Sequence, residues 1–290
     1  MPLPRGLPVV DHHCHLSPSG EGVAAARRFR AAGGAQLFVA TQNYLVHVPR
    51  NLDDYRTQFE TTETLVREVR AGAGVTAHAV VAPYPVDLVT LAGEVGVPSA
   101  LDLHLRALDL AGRWVREHRA VALGEVGRAH FPVAPEIAEA LETAFRYAIA
   151  VARESDCPVV VHSADLDAAG LRELSSLAEG AGLTTGRLVK HYARTRFPPG
   201  ERGSVTPSYL ARRELVRAVL PDAGPWFLET DFLDDPKRPG AVLDIATVPR
   251  RARQIAEQDP ANADRLWVPF VESVEAVYGF RPEVSEEGSR

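Results

Sequence analysis

The sequence Leu7-Pro8-Val9-Val10-Asp11-His12-His13-Cys14-His15 lies near the start of the chain and joins an apolar run to a cluster of polar side chains. The apolar run, residues 7–10, predicts a buried strand. Successive side chains of a strand point to opposite faces, so Asp11, His13 and His15 share one face. Two imidazoles two residues apart can bind one divalent ion, and a neighbouring carboxylate can orient them. The stretch therefore predicts two metal ligands, His13 and His15.

Four later segments repeat this order, because each apolar run is again followed by a side chain that can bind a metal ion. The runs are residues 121–123, 158–161, 187–189 and 226–228, and the side chains that follow them are Glu125, His162, His191 and Asp231. In an eight-stranded α/β barrel, the loops at the carboxyl ends of the strands converge on one site. The segments therefore predict an α/β fold, a (β/α)8 TIM barrel with its metal site at the C-terminal ends of the strands.

Length and composition agree with a single barrel. The chain has 290 residues, 46% of them hydrophobic, and a barrel of this kind takes about 250 residues. Residues 1–280 are expected to form the barrel domain and residues 281–290 a polar tail. Residues 203–207 are expected to form the seventh strand, residues 209–220 the helix after it, and residues 242–258 and 262–277 two closing helices.

Charge, cysteine content and hydropathy narrow the class of protein. The formal net charge of −6 argues against a protein whose main task is to coat nucleic acid. Cys14 and Cys157 are too few for a disulfide framework, so free thiols in a cytoplasmic protein are expected. His12 and Cys14 share the second face of the first strand and are expected to pack against the helices. No apolar stretch approaches the roughly 20 residues that span a bilayer, so no membrane is expected as a partner.

At the ends of two predicted strands, the sequence allows more than one role or more than one candidate for the acidic ligand. A carboxylate that ends an apolar strand must be bound to an ion, hydrogen-bonded or paired with a cation. Glu125 therefore either binds metal, one ion on each oxygen, or pairs with a nearby arginine such as Arg128. Glu229 and Asp231 point to the same face by alternation. Asp231 lies nearer the C-terminal end of its strand and is the predicted ligand.

Together these segments resemble the TatD-type metal-dependent hydrolases of the amidohydrolase superfamily. The motifs that carry the resemblance are Val10-Asp11-His12-His13-Cys14-His15, Leu123-Gly124-Glu125-Val126-Gly127 and Leu228-Glu229-Thr230-Asp231. The resemblance implies that His13, His15 and Asp231 hold one ion and that His162 and His191 hold a second. It implies further that Glu125 bridges the two ions. Nucleases that remove nucleotides from DNA belong to the family, so a phosphodiesterase or deoxyribonuclease-like activity is implied.

The predicted chemistry is hydrolysis by a water molecule that a metal ion activates. A bound divalent ion lowers the pKa of water from about 15.7 to about 7. Asp231 is expected to accept a proton from the attacking water, and Glu125 is the second predicted catalytic residue. Imidazole and carboxylate ligands suit several metals, and two divalent ions of zinc, manganese or magnesium are the expected cofactors.

Side chains in the predicted loops are candidate substrate contacts. Arg128, His130, Arg194 and Arg196 are predicted to bind substrate, because guanidinium groups pair with phosphate or carboxylate. The expected partner is a small anionic substrate or a nucleic-acid end. The alternative is that the loop arginines are only solvated and that His130 caps a loop. Residues 128–130 and 192–203 differ from the usual family pattern, and such loops select the substrate of a barrel enzyme.

Two other functions remain open at this point. A barrel amidohydrolase that acts on an amide, ester or lactone would use the same ligand set. Outside the enzymes, the alternative is a metal-binding scaffold without turnover, against which the complete ligand set argues.

Overall fold

A parallel sheet of nine strands forms the wall of a barrel, and helices alternate with the strands. The computed structural model describes residues 3–258 and 260–283, so most of the predicted tail lies outside the described residues. The strands are β1 Val10–His15, β2 Gln36–Ala40, β3 Thr76–Val81, β4 Ala122–Gly127, β5 Val159–His162, β6 Leu188–Ala193, β7 Val205–Leu210, β8 Phe227–Glu229 and β9 Phe232–Leu233. The helices are α1 Val23–Ala31, α2 Leu52–Gly72, α3 Pro85–Val95, α4 Val97–Arg116, α5 Pro135–Glu154, α6 Ala168–Gly180, α7 Arg213–Val219, α8 Thr247–Gln258 and α9 Ser273–Tyr278. A 3₁₀ segment, Pro260–Leu266, and a π-helical turn, Val268–Glu272, precede α9.

The last two strands close the sheet into a barrel. Strand β8 pairs with β7, whereas β9, only two residues later, pairs with β1, so the two are halves of one interrupted strand. Asp231 lies in the interruption, with a left-handed φ of 47°. Its backbone N–H donates to His13 O at 2.9 Å and so joins the interruption to β1. The predicted α/β barrel is confirmed, and the break places Asp231 beside the end of β1.

Burial on both faces explains the apolar strands of this sheet. Strands β2 and β4 are buried at every position, and parallel strands covered by helices characteristically read as continuous apolar runs. Outside the sheet, Trp114 of α4 packs edge-on against Phe59 of α2 with ring centroids 5.7 Å apart, and both rings are buried. Helix α2 begins after Asn51, whose side chain accepts a hydrogen bond from Asp54 N at 2.9 Å.

Several predicted boundaries were wrong by a few residues. The first strand extends over Val10–His15, beyond residues 7–10, and so contains the predicted ligands His13 and His15. The seventh strand continues to Leu210, and the following helix begins at Arg213 rather than at residue 209. Tyr209 and Leu210 are fully buried and pair with β8, so sheet pairing and burial override the helical pattern there. The first closing helix begins at Thr247 rather than at residue 242.

The position of His12 also differs from the prediction. The pairing of β1 with β2 shifts register between Asp11 and Cys14, which is the mark of a bulge. His12 Nδ1 lies 3.1 Å from Ser208 Oγ of β7, and its ring stacks on Phe227 of β8 at 3.9 Å. Since β7 is not a neighbour of β1, His12 reaches it across the interior. Its Nε2 also lies 2.7 Å from Tyr278 Oη of α9, so the expected contact with a helix is present together with contacts to the strands.

Two further features of the described structure are the state of the cysteines and the hydropathy of the helices. Cys14 and Cys157 are both free and buried. Within residues 3–258 and 260–283, no helix combines the length and the apolar character that a membrane span needs.

Candidate metal centre

Three side chains from β1 and β4 meet at the carboxyl end of the barrel. His13 Nε2 lies 2.8 Å and His15 Nε2 lies 3.1 Å from Glu125 Oε1, and the two imidazole nitrogens are 3.3 Å apart. Asp231, in the break between β8 and β9, brings its Oδ1 to 3.8 Å and 3.5 Å from these nitrogens. The four ligand atoms of this first group lie within 4.8 Å of one another.

A second group surrounds the other oxygen of the same carboxylate. His162 Nδ1, at the end of β5, lies 3.0 Å from Glu125 Oε2, and His191 Nε2, on β6, lies 3.7 Å from it. The two imidazole nitrogens are 3.2 Å apart. Glu125 therefore stands between two pairs of imidazoles, one pair on each of its oxygens. The structure thus brings all six predicted ligand side chains together.

The chemistry of these groups fits divalent metal ions. Lone pairs on imidazole and carboxylate are the ligands that zinc and manganese accept in proteins. The first group offers two imidazoles and two carboxylates, and the second offers two imidazoles and one carboxylate. Four imidazoles converge on one carboxylate with only 5% of its surface exposed, so few waters can solvate these donors. Cations between them would balance the carboxylate charges.

Burial and neighbouring charge set the protonation of the central groups. Burial would raise the pKa of Glu125, but hydrogen bonds from the imidazoles of His13, His15 and His162 lower it well below its usual value, so it is a carboxylate. Burial lowers the pKa of His191 well below its usual value and leaves a neutral imidazole with a free lone pair. Burial also acts to lower the pKa of His15, but the carboxylates of Asp231 and Glu125 outweigh it and raise the pKa to about 10.

Metal binding is expected to release a proton from His15. A histidine ligand must be deprotonated, and in the metal-free protein this imidazole keeps its proton up to a pH of about 10. The apparent metal affinity should therefore rise with pH between 6 and 8, by up to about tenfold per pH unit for one released proton. Calorimetric titration in buffers of different ionisation enthalpy measures the released proton directly. A binding enthalpy independent of the buffer would contradict this expectation.

Nearly the whole chain is similar to one known protein family. Residues 10–279 match the family model described as TatD related DNase. The chain belongs to this family. The predicted membership is confirmed, and the protein is a TatD-family hydrolase.

Individual relatives agree with the family match. An uncharacterized protein of Methanocaldococcus jannaschii is 30% identical over 284 residues, which cover 96% of this chain and 98% of that relative. The crystal structure of the TatD-like protein from Archaeoglobus fulgidus gives a TM-score of 0.62 at 12% identity and covers 93% of this chain and 100% of its own. The TatD homolog from Escherichia coli K12 gives a TM-score of 0.62 at 18% identity, with 93% and 98% covered. At such identities the structural likeness supports the barrel fold, and the family match supports metal-dependent hydrolysis.

Asp11 holds the first strand of this TatD-family barrel against the break in the last. Its carboxylate accepts hydrogen bonds from Thr230 N at 2.9 Å and Thr230 Oγ1 at 2.6 Å, and from His13 N at 3.3 Å. Burial raises the pKa of Asp11 to about 7 against the opposing effect of these hydrogen bonds. Asp11 thus contacts the backbone of His13 rather than an imidazole, which corrects the expectation that it orients a ring.

Glu229 is a further buried carboxylate at the centre, beside the buried Glu125 and the partly exposed Asp231 that the sequence selected. Its Oε1 accepts a hydrogen bond from Tyr192 N at 2.7 Å and lies 3.5 Å from His191 Nδ1, on the ring edge away from Glu125. Burial raises the pKa of Glu229 well above its usual value. Sequence reasoning weighed Glu229 only as an alternative to Asp231, whereas the structure places both at the centre.

Replacing Glu229 with glutamine is expected to weaken metal binding by about 10–100-fold, because carboxylates that orient a ligand imidazole contribute about that much. The near-isosteric amide keeps the hydrogen-bond acceptor for Tyr192 N but cannot ionise, so it cannot supply a carboxylate beside His191 when a cation binds there. Competition with a fluorescent chelator measures the metal dissociation constant. Asp222→Asn is a matched control, since this buried carboxylate pairs with Arg196. Equal metal affinity in Glu229→Gln and the wild type would show that Glu229 does not support metal binding through His191.

The outer nitrogen of His162 has two aromatic neighbours. His130 Nδ1 lies 2.8 Å from His162 Nε2, and Tyr84 Oη lies 3.3 Å from the same nitrogen. These residues come from the loops after β4 and β3. His130 is exposed next to Phe131, whose ring centroid is 5.1 Å from its own. Of the four predicted substrate contacts, the structure therefore places His130 against a residue of the candidate metal centre, His162.

The three predicted arginines are paired with carboxylates. Arg128 bonds with Glu142 at 2.8 Å and Glu173 at 2.6 Å, on helices α5 and α6. The remaining pairs are Arg194 with Asp165 and Arg196 with Asp222. A substrate phosphate would have to compete with these carboxylates, so the substrate-binding roles of Arg128, Arg194 and Arg196 stay predictions.

Gly127 lets β4 approach His162 closely. Its φ is 128°, and a Cβ atom at this position would lie 2.4 Å from His162 O and 3.2 Å from Val161 Cγ1. Gly127→Ala is therefore expected to lower the free energy of unfolding by about 1–3 kcal/mol, since backbone must move. Urea denaturation measures this change. Gly93→Ala is the control, because nothing lies within 4 Å of a Cβ there. A Gly127→Ala variant as stable as Gly93→Ala would contradict the prediction.

Proposed function

We propose that this TatD-family hydrolase cleaves phosphodiesters at a centre of two divalent ions. His13, His15 and Asp231 would hold one ion, and His162 and His191 would hold the other. Glu125 would bind both. The observation that carries the proposal is the placement of the two carboxylate oxygens of Glu125, each beside a different pair of imidazoles.

Divalent ions at such a centre supply an activated water at neutral pH and positive charge beside the scissile group. Asp231 then accepts the proton of the attacking water. Its Oδ1 faces the same space as His13 Nε2 and His15 Nε2, and its backbone bond to His13 O holds it there. His130 and Tyr84 flank the outer edge of His162, where they can contact the leaving group.

The substrate that we propose is a nucleic-acid end, DNA first. Two facts support it. The family model is described as a DNase, and cations held by the two ligand groups would stabilise the charge of an anionic phosphodiester. With four imidazoles among the ligands, zinc or manganese suits the centre better than magnesium, which favours oxygen ligands. We also propose a cytoplasmic location, where a reducing environment keeps buried cysteines such as Cys14 and Cys157 as thiols.

A panel of substrates tests this function. The full chain, loaded with zinc or manganese, is assayed on single-stranded DNA, a phosphodiester probe, a phosphomonoester, a lactone and an amide. We expect turnover of the phosphodiesters, loss of turnover with a chelator, and loss in His13→Ala. His118→Asn is the matched control, because His118 is exposed after α4 and asparagine tolerates its φ of 58°. Turnover of the lactone or amide alone would favour the barrel amidohydrolase, and bound metal without any turnover would favour a scaffold.

A further inference from the structure

A cavity between α7 and α8, on the outside of the barrel, concentrates positive charge. The cavity measures about 360 Å³ and is lined by Arg213, Arg217 and Arg251 together with Gln254, Gln258 and Asn262. A fourth arginine, Arg265, donates to Pro221 O at 3.2 Å, and Pro221 also lines the cavity. The cavity contains none of the ligand residues of the metal centre.

The arginines of this cavity are bonded to neutral oxygens. Arg213 Nη2 and Arg217 Nη2 both donate to Gln258 Oε1, at 3.2 Å and 3.0 Å. Arg251 donates to Gln254 Oε1 and, at 3.2 Å, to Ala211 O. Among the described residues, the one carboxylate paired with these three guanidinium groups is that of Glu214, which is largely exposed and 3.7 Å from Arg217.

Like charges gathered on one side of a cavity favour the binding of an anion there. Burial, followed by the charges of Arg213 and Arg217, lowers the pKa of Arg251, and the carboxylate of Glu214 opposes this only in part. Two guanidinium groups on one amide oxygen leave most of their donors free for a ligand. The contrast with Arg128, Arg194 and Arg196, each paired with a carboxylate, sets this cluster apart.

The floor of the cavity is apolar. Val216, Leu220 and Ile255 line the cavity together with the arginines, and Leu220 and Ile255 keep a small exposed apolar surface there. A ligand that suits both parts carries a compact dianion at one end and an uncharged, partly apolar body at the other. A phosphate monoester carries about −1.5 to −2 charges at neutral pH and accepts several guanidinium bonds, whereas a carboxylate offers a single charge.

We propose that the cavity between α7 and α8 binds a phosphate monoester of about mononucleotide size, with Arg213, Arg217 and Arg251 on the phosphate and the organic part on the apolar floor. This site is separate from the metal centre and does not depend on the proposed phosphodiesterase function. Its volume lies at the lower end of ordinary small-molecule sites, which matches a mononucleotide rather than an oligonucleotide.

Calorimetry with the full, metal-loaded chain tests the site, with deoxyadenosine monophosphate, inorganic phosphate and deoxyadenosine as probes. We expect the monophosphate to bind most tightly, phosphate more weakly, and deoxyadenosine least. In the double variant Arg213→Gln/Arg251→Gln, affinity should fall by about tenfold or more, since hydrogen bonds to charged groups are lost. Arg217→Lys should lose part of the affinity for the monophosphate, because lysine keeps the positive charge but not the planar guanidinium group with its paired donors.

Separate measurements check where the monophosphate binds and whether the variants fold. A photoreactive 8-azido analogue of the monophosphate should label peptides from α7 or α8 in the wild type and lose that label in the double variant. Arg172→Gln, an exposed substitution on α6, is the control and should leave binding unchanged. The variants should keep the melting temperature and metal-centre turnover of the wild type. Unchanged monophosphate affinity in the double variant, or labelling confined to peptides of the barrel mouth, would overturn the proposal.

Discussion

Glu125→Gln is expected to lower turnover by about 10³-fold or more and to reduce the bound metal to at most one ion per chain. The wild-type carboxylate presents Oε1 to His13 and His15 and Oε2 to His162 and His191. The amide replaces one of these oxygens with an N–H donor, which cannot bind a cation. Loss of charge stabilisation worth several kcal/mol corresponds to a rate change of this size.

The glutamine side chain is nearly isosteric, so the barrel should fold and the effect should appear in metal content and rate. Glu142→Gln is a suitable control, since this carboxylate on α5 pairs with Arg128 and Arg146 rather than with the ligand groups. Metal content comes from elemental analysis of dialysed protein, and rate comes from single-turnover assays. A Glu125→Gln protein that keeps two ions and a rate within tenfold of the wild type would remove Glu125 from its bridging role.

Asp231→Asn is expected to lower kcat by about 10²–10⁴-fold, the usual contribution of a general base. Unlike Glu125, Asp231 approaches only the first group, 3.5 Å from His15 Nε2 and 3.8 Å from His13 Nε2. The ion between His162, His191 and Glu125 should therefore remain. Asparagine also tolerates the left-handed backbone at this position, so the fold should be kept.

Rate and metal content, measured together, distinguish a general-base role of Asp231 from a role as a metal ligand alone. Asp235→Asn is the control, because Asp235 lies four residues further along and pairs with exposed Arg238. Measurement of kcat, KM and metal content for both variants gives the comparison. If Asp231→Asn turned over at the wild-type rate once saturated with metal, Asp231 would be a ligand without a role in proton transfer.

The convergence of the six proposed ligand side chains could be predicted from the sequence because it depends on their order alone. In a parallel barrel the carboxyl ends of all strands share one rim, so an apolar run followed by His162 or His191 specifies a location without any knowledge of packing. Asp231 followed the same rule, although the break between β8 and β9 that holds it was not visible in the sequence. The barrel itself was predicted by the same alternation of strands and helices.

Strict alternation of side chains failed where the strands are irregular. The register shift in β1 turns His12 into the interior, against Ser208 and Phe227. A bulge adds one residue to a strand and leaves no reliable mark in a single sequence, so face assignments beyond it cannot be derived.

Partners of the loop arginines could not be predicted either. The carboxylates that pair with Arg128 and Arg196 are Glu142, Glu173 and Asp222, which lie 14 to 45 residues away along the chain. Such pairs depend on how helices pack against the loops, which residue types alone do not specify. The same holds for Glu229, whose place behind His191 depends on how β6 and β8 lie on either side of β7.

Metal occupancy located by anomalous X-ray diffraction tests the account most directly. Crystals of the full chain loaded with zinc or manganese should show two anomalous peaks per chain, one among His13, His15 and Asp231 and one between His162 and His191, both in contact with Glu125. Absence of ions from these positions in a protein that hydrolyses phosphodiesters, or peaks only at other residues, would contradict it.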